Sequence, residues 1–493
     1  MEFLISAVAG DLVSRFISYV VQNLGNHTWN EDDQRRLERV LLRMRTIVEE
    51  AVGRCITNQG MILQLKMLVK DMYAGYYMLD RLKFESVEED RVEGEVSHPN
   101  RSLGMYTSIA AKRLRFASAT TNNTPVEFGT KRATKLKDIL ESLETKIQDM
   151  REFVMLLGSC PRLSRQPYST YLFMDKCMFG RHAEKEQVIN FLLCSDTHAC
   201  QKLGILPIIG PHRVGKKTLV QHVCKDERVR NCFPHILIFK GDDLKNIELT
   251  ANLKAASGKC LFVIEFSWDL DVAAWTKFES CLQKVAGAGS KIVLIGRTHE
   301  VAKFGTALPI WMKSLPHEEY WYYFKALAFG SMDPDEHPRL ASLGMQLATE
   351  LKGSFLGANI LGEMLRANPN AQFWRNILLS IRELVQAHLL SFGVHPEDLL
   401  ERNVPVDFAK VGFVGDRGQG CLVYDLREAG PGQSELPSLT SQELLMGGEV
   451  PVEEKFDVLV WKSRIPPYCN YIATFEKQKS RRMVGTKSRL APA

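Results

Sequence analysis

No stretch of about 18 uncharged apolar residues occurs in the 493-residue sequence, which argues against a conventional membrane-spanning helix. No CxxC pair occurs either. Of eleven cysteines, an odd number, most sit singly inside apolar runs such as "FLLC" and "SGKCLFVIEF". That usage argues against a secreted disulfide framework and favours a reducing cytosol or nucleus. The sequons at Asn26, Asn100 and Asn122 then read as chance matches. Charge of one sign is scarce too: 63 basic against 58 acidic residues gives no strong signal for nucleic acid. The opening "MEFLISAVAGDLVSRFISYVVQNL" lacks a basic leader and is interrupted by Asp11 and Arg15, so it does not read as a signal peptide. No leucine-rich period of about 20–29 residues appears.

What is present is an ordinary globular composition, 45% hydrophobic and 25% charged, long enough for roughly two to four domains. Residues 1–157 read as a four-helix bundle. In the first helix Phe3, Leu4, Val8, Leu12, Phe16, Val20 and Leu24 make one apolar face. "DDQRRLERVLLRMRTIVEEAVGRC" follows a start at Asn30-Glu31-Asp32 suited to a helix cap. "MILQLKMLVKDMYAGYYMLDRLKF" is apolar around most of its circumference, as an interior helix would be. Residues 92–130, with "SHPNRS" and "TTNNTP", lose periodicity and read as a long loop. "RATKLKDILESLETKIQDMREFVMLL" supplies the fourth helix.

A linker covers residues 158–178. Beyond it, "GILPIIG", "HILIF", "CLFVIEF" and "KIVLIG" are short apolar runs alternating with helical stretches. That is the pattern of a parallel sheet buried on both faces, so residues 179–310 are expected to form an α/β domain of P-loop NTPase type. Residues 311–395 return to helix. Residues 396–493 mix turns with runs such as "KFDVLVWKS" and end in the basic stretch "FEKQKSRRMVGTKSR", read as a solvated tail or an import or nucleic-acid patch. The fold class is thus multidomain: a helical bundle, a P-loop parallel sheet with a helical extension, and a small mixed C-terminal region.

The candidate chemistry lies in "LGILPIIGPHRVGKKTLVQHVC". An apolar strand leads through Gly210, His212, Arg213, Val214 and Gly215 to Lys216 at the start of a helix. Glycines let backbone N–H groups converge on phosphate, the helix terminus adds positive potential, and the lysine reaches the outer phosphates. The hydroxyl that would ligate Mg²⁺ is expected directly after the lysine, but Lys217 stands there, with Thr218 and Leu219 following. An ammonium has no lone pair for a metal, although it can neutralise phosphate. In "CLFVIEFSWDLD", Glu265 ends an apolar run; it reads either as a catalytic and metal-orienting carboxylate or as a polar strand end. Phe266 after it cannot polarise water. Arg297, closing "KIVLIGR", reads as a phosphate sensor or as a surface arginine.

Together these segments resemble the NB-ARC module of plant intracellular immune receptors of the coiled-coil class. "MFGRHAEKEQVINFLL" is similar to the family's segment before the P-loop, and places Gly180 and Arg181 near the adenine. "GPHRVGKKTL" stands for its P-loop and "LFVIEFSW", with Trp268, for its Walker B block. "GSKIVLIGRTHEVA" stands for its arginine-bearing strand and "LKGSFLGANILGEMLR" for its Gly-Leu-Pro-Leu block. The resemblance covers about residues 1–395, in order, and is to a member lacking leucine-rich repeats. His212 and Arg213 replace loop glycines, Lys217 the metal-ligating threonine, and Glu265 and Phe266 the paired aspartates. No Met-His-Asp triplet occurs, and "AGYYMLD" keeps only Asp80 of the acidic motif in the third bundle helix.

The resemblance implies an immune-receptor-like protein with ADP or ATP as its ligand, and the departures from the family's pattern imply weak or absent ATPase activity and a poor site for Mg²⁺. Its implied partners are other immune receptors or signalling proteins meeting the N-terminal bundle, with self-association and peripheral membrane contact as further options. The implied location is the cytoplasm, with the nucleus and the plasma-membrane surface as alternatives. The competing reading is a nucleotide-independent adaptor or decoy paired with a complete receptor.

Overall fold

The computed structural model describes residues 31–92, 125–163, 179–194, 203–241, 258–266, 272–401, 404–407, 421–430, 436–445, 451 and 453–477. The expected first helix, Trp268 and the basic tail lie outside these residues. The chain divides into two compact units: residues 1–45 with 99–150, and 46–98 with 151–493.

The first unit holds most of α1 (Glu31–Val52) and all of α3 (Pro125–Asp149). Leu37, Leu41 and Met44 on α1 and Leu136, Leu140, Leu143 and Ile147 on α3 are buried, at the three- and four-residue steps of a helix stripe. Arg36 bridges to Glu144 at 3.0 Å. The expected loop is too long at its C-terminal end. Helix begins at Pro125 inside "TTNNTP", because proline at the first helical position gives up only an N–H that has no partner there. The expected fourth helix is also two, since a turn at Met150 separates α3 from α4 (Arg151–Ser159).

In the second unit, α2 (Gln59–Val92), α4 and α5 (His182–Leu193) precede the sheet. Its strands are β1 (Gly204–Ile209), β2 (His235–Lys240), β3 (Cys260–Glu265), β4 (Lys291–Gly296) and β5 (Ile310–Trp311), all parallel, in the order β2-β3-β4-β1-β5. The alternation of the apolar runs loads both faces. Leu206, Ile208, Val263, Val293 and Ile295 join one core with α6 (Lys216–Lys225) and α7 (Glu227–Cys232). Ile205, Phe262, Ile264, Ile292 and Leu294 join the other with α8 (Val272–Val285), whose Trp275 is fully buried. The short helix α9 (His299–Ala302) follows β4.

Helices α10 (His317–Phe329), α11 (Pro338–Glu350), α12 (Phe355–Ala367) and α13 (Ala371–Phe392) form the expected extension. The aromatic run at its start is core: Tyr320, Trp321 and Phe324 are inaccessible, packed with Trp374 of α13. Helix α2 packs here as well. Its Tyr73 and Tyr76 meet Tyr322, and its Asp80 accepts hydrogen bonds from three side chains of α10. The helix α14 (Pro396–Glu401) leads into a second sheet. Its strands are β6 (Val406–Asp407), β7 (Cys421–Ala429), β8 (Lys455–Lys462) and β9 (Asn470–Lys477), antiparallel in the order β6-β7-β9-β8, with α15 (Ser441–Leu445) beside β8. Its core is Val423, Leu444, Phe456, Val458, Ala473 and Phe475.

Candidate functional site

Because the five strands run one way, the turns after β1, β3 and β4 emerge at the same end of the sheet, where open α/β sheets hold their ligands. The turn after β1 spans residues 210–215 and feeds directly into α6, which starts at Lys216. Two positions in it require glycine. A Cβ on Gly210 would stand 2.3 Å from the backbone oxygen of Met312, and Gly215 turns into the helix at φ +92°. Arg213 also takes the left-handed conformation, at φ +54°, a strained choice for a residue with a Cβ.

Lys216 is buried. Its Nζ donates to the carbonyls of Gly210 and Pro211 at 2.7 and 2.6 Å, so the side chain braces its own loop. Lys217 points the other way. Its Nζ lies 2.8 Å from Oε1 of Glu265, the last residue of β3, and 2.7 Å from Oε2 of Glu428 on β7. Burial pulls the ammonium's pKa down, but the carboxylates of Glu428 and Glu265 outweigh it and hold it above the usual lysine value. His212 has no such carboxylates. Burial, then Arg213, Arg297, Lys216 and Lys217, push its pKa down to about 3, so the imidazole is neutral at pH 7.

These residues face a cleft of about 150 Å³. Its floor is residues 212–218 with Glu265, Phe266 and Arg297. One wall comes from Phe179 and Arg181 and from Tyr323, Phe355 and Asn359 of the helical extension. The other wall is the C-terminal sheet, through Glu428, Trp461 and Tyr471, with Arg464 and Cys469 of the segment joining β8 to β9. Arg181 ties the first wall to the loop: its Nη2 donates to the carbonyls of Val214 and Lys313 at 3.3 and 2.6 Å, and its Nη1 lies 3.6 Å from Glu184.

Two donor nitrogens of this lining, Arg181 Nε and Trp461 Nε1, are buried without a hydrogen-bond partner, as is His212 Nδ1, which donates or accepts according to its tautomer. A buried polar group left unpaired costs about 1–3 kcal/mol, so the cleft favours a ligand rich in acceptors, as phosphates and sugars are. A nucleotide therefore fits the residues present. A divalent metal does not, because the place of its hydroxyl ligand is filled by the Lys217 ammonium. Phe266 offers no polar group either: its side chain is buried against Trp275, with ring centroids 6.1 Å apart, and its N–H is used by Ile295 O at 2.9 Å.

Of the residues expected from the sequence, Arg181, Arg213, Val214, Gly215, Lys216, Lys217, Thr218, Glu265 and Arg297 come together around the cleft. Gly180, Gly210 and Leu219 lie beneath it. Gly180 turns at φ +66° under Leu315, and Leu219 is fully buried in the sheet core. Sequence reasoning missed the whole second wall. Glu428, Trp461, Arg464 and Tyr471 belong to no motif, and only folding brings them within reach of residues about two hundred positions earlier.

No family model matches the chain. Disease resistance protein RGA2 of Solanum bulbocastanum is 21% identical over 400 residues, covering 74% of this chain and 38% of that protein. The chain is similar to plant disease-resistance proteins. RGA1 of the same species is 24% identical over 300 residues (56% of this chain, 30% of that protein), and an RPP13-like protein of Arabidopsis thaliana is 22% identical over 387 residues (71% and 35%). The chain thus spans about a third of the length of the curated relatives it matches. Among solved structures, C. elegans PCH-2 gives a TM-score of 0.30 at 9% identity, over 43% of this chain and 71% of that one. Domain III of the Thermotoga maritima replication initiation protein DnaA gives 0.24 at 13%, over 47% and 95%. At such scores the strand order, rather than the likeness, defines the fold.

Proposed function

We propose that the chain is a nucleotide-holding protein of plant immunity. In this reading ADP or ATP in the cleft biases how the helical and C-terminal parts are arranged, and that arrangement governs assembly with other proteins. One observation carries the reading: a glycine-pinned turn at the ligand-binding end of a parallel sheet, running into a helix that starts at Lys216, faces a cleft whose buried donors lack acceptors. The similarity to plant disease resistance proteins supplies the biological setting.

Turnover is weak or absent in this reading. Hydrolysis needs a positioned water and, in P-loop enzymes, a bound metal. Phe266 stands where a water-polarising group would, and Lys217 where the metal-ligating hydroxyl would. The partners are receptors or signalling proteins engaged through the N-terminal helices, with self-association as part of the same assembly. No helix among the described residues is long and apolar enough to cross a membrane; the reading places the protein in the cytoplasm, with access to the nucleus or the inner membrane surface.

Calorimetric titration of the full chain with ADP and ATP tests this, beside Lys216→Ala and a phosphate-release assay. Saturable heat that Lys216→Ala abolishes, with no phosphate release above buffer, is the expected result. A folded wild-type chain that gives no heat with either nucleotide refutes it and leaves the second reading, a nucleotide-independent adaptor. That reading has its own support, since the loop already satisfies Lys216 with its own carbonyls.

A further inference from the structure

The position after the P-loop lysine holds a charge that a metal site would exclude, and the fold has answered that charge from two directions. Glu265 reaches Lys217 from the end of β3 in the parallel sheet, and Glu428 reaches it from β7 in the antiparallel one. Both contacts are within the range of charge-assisted hydrogen bonds. Since both oxygens touch one nitrogen, they lie under about 6 Å apart, close enough for one cation to bridge them.

Mg²⁺ requires a near-octahedral shell of oxygens. Here its nearest neighbour would be an ammonium that offers no lone pair. The cleft lining also carries Arg213, Lys216, Lys217 and Arg297 against the carboxylates of Glu265 and Glu428, while Arg464 is paired with Glu363 at 2.9 Å and Arg181 lies 3.6 Å from Glu184. These lining groups are net positive, and the same four cations add to burial in lowering the pKa of His212. A diphosphate entering that surplus needs no metal to offset its charge. A triphosphate is less well served, because its β- and γ-oxygens are the ones a metal ordinarily bridges.

We infer that Lys217 is the resident counter-cation of this cleft: held between Glu265 and Glu428, its ammonium takes the place of a divalent metal, so that the cleft receives a metal-free nucleoside diphosphate. The identity of the ligand rests on the nucleotide reading above, whereas the exclusion of metal rests on the three side chains alone. Glu428 becomes a functional residue of the site, contributed by a sheet that carries no nucleotide motif.

Two titrations of the full chain separate these parts. The first adds Mn²⁺ alone and follows its paramagnetic resonance signal. Wild type leaves the ion free. Lys217→Thr, which leaves Glu265 and Glu428 facing a hydroxyl, gains one bound Mn²⁺, and adding Glu428→Gln to that variant removes it. The second titrates ADP in Mg²⁺ and in EDTA. Wild-type affinity is the same in both, whereas Lys217→Thr binds about tenfold or more tightly when Mg²⁺ is present, the scale of one charge-assisted contact. Wild type that binds Mn²⁺ through Glu428, or whose ADP affinity rises tenfold with Mg²⁺, overturns the inference, as does a folded Lys217→Thr that gains no metal. If Lys217→Thr does not fold, as judged by circular dichroism, the two wild-type arms decide. Expected Mn²⁺ results with no ADP binding overturn the ligand half and the nucleotide reading together, while metal exclusion stands.

Discussion

Asp80 offers the sharpest test of how α2 is held to the helical extension. It is 6% exposed, and its Oδ2 accepts from Trp321 Nε1 at 2.8 Å, Tyr322 OH at 3.2 Å and Lys325 Nζ at 2.8 Å. Asp80→Ala leaves the inaccessible Trp321 N–H without its acceptor and Lys325 without its carboxylate. Breaking a buried ion pair from one side costs about 3–5 kcal/mol, and each bond to a charged acceptor about 1.5–3 kcal/mol, but the three donors share one oxygen and their losses do not add. Lys325 also keeps a partial refuge, since its side chain is 20% exposed and its Nζ lies 5.2 Å from the Tyr322 ring centroid. The expected loss is therefore about 2–4 kcal/mol for Asp80→Ala, and about half that for Asp80→Asn, which keeps an acceptor but not the charge. With two units in the chain, a single unfolding midpoint would blur the effect. Amide exchange of residues 72–84 measures it locally, as faster exchange in the variants. Equal effects of Ala and Asn, or no loss of protection with Ala, would refute the argument that a shared charge fastens α2.

Glu319 gives a pH signature. Burial pushes its pKa up to about 7 from 4.5 against the opposing pull of Arg181, so the native state holds its proton more tightly than the unfolded chain. Stability is therefore highest below about pH 4.5 and falls as pH rises through 7, by at most about 3 kcal/mol, and Glu319→Gln should flatten that slope in urea titrations. Gly210→Ala should displace the P-loop, because the new Cβ would meet Met312 O; nucleotide binding is expected to fall below detection while far-ultraviolet dichroism stays native. For His212, burial first and then the neighbouring cations keep the imidazole neutral; a bound phosphate offsets only the second cause, so ADP binding raises its pKa and tightens as pH falls from 7.5 to 5.5. His212→Asn should abolish that difference, and an unchanged pH profile would refute the linkage.

The parallel sheet was legible in the sequence because a strand buried on both faces has to be apolar at every position. "GILPII", "CLFVIE" and "KIVLIG" coincide with β1, β3 and β4 for that reason. The two-residue β5 was not legible, since Ile310–Trp311 is too short to show a pattern and pairs only through the end of β1. The start of α3 was hidden by turn-forming residues whose last member, Pro125, suits a first helical position as well as a loop. Half of the cleft lay in motifs that can be read locally. The other half comes from β7, β8 and the segment joining β8 to β9, whose alternation specifies a small sheet but not which face of the P-loop it covers.

That hidden half changes how the substitutions in the loop are understood. Taken from sequence alone, Lys217 and Phe266 are losses: a hydroxyl gone from one position, an acid gone from another. In the folded chain they belong to different environments. Phe266 lies in the apolar core beside Trp275, where its own side chain offers no polar group. Lys217 has been built around. A loop that had merely decayed would leave a fourth cation beside Arg213, Lys216 and Arg297 with nothing to answer it. Instead Glu265 and Glu428 converge on that ammonium from two sheets and raise its pKa against the cost of burial. On the function proposed above, water positioning is lost at Phe266, while Glu265 and Glu428 offset the added charge of Lys217. That combination is what a site requires if it holds a phosphate ligand without cleaving it.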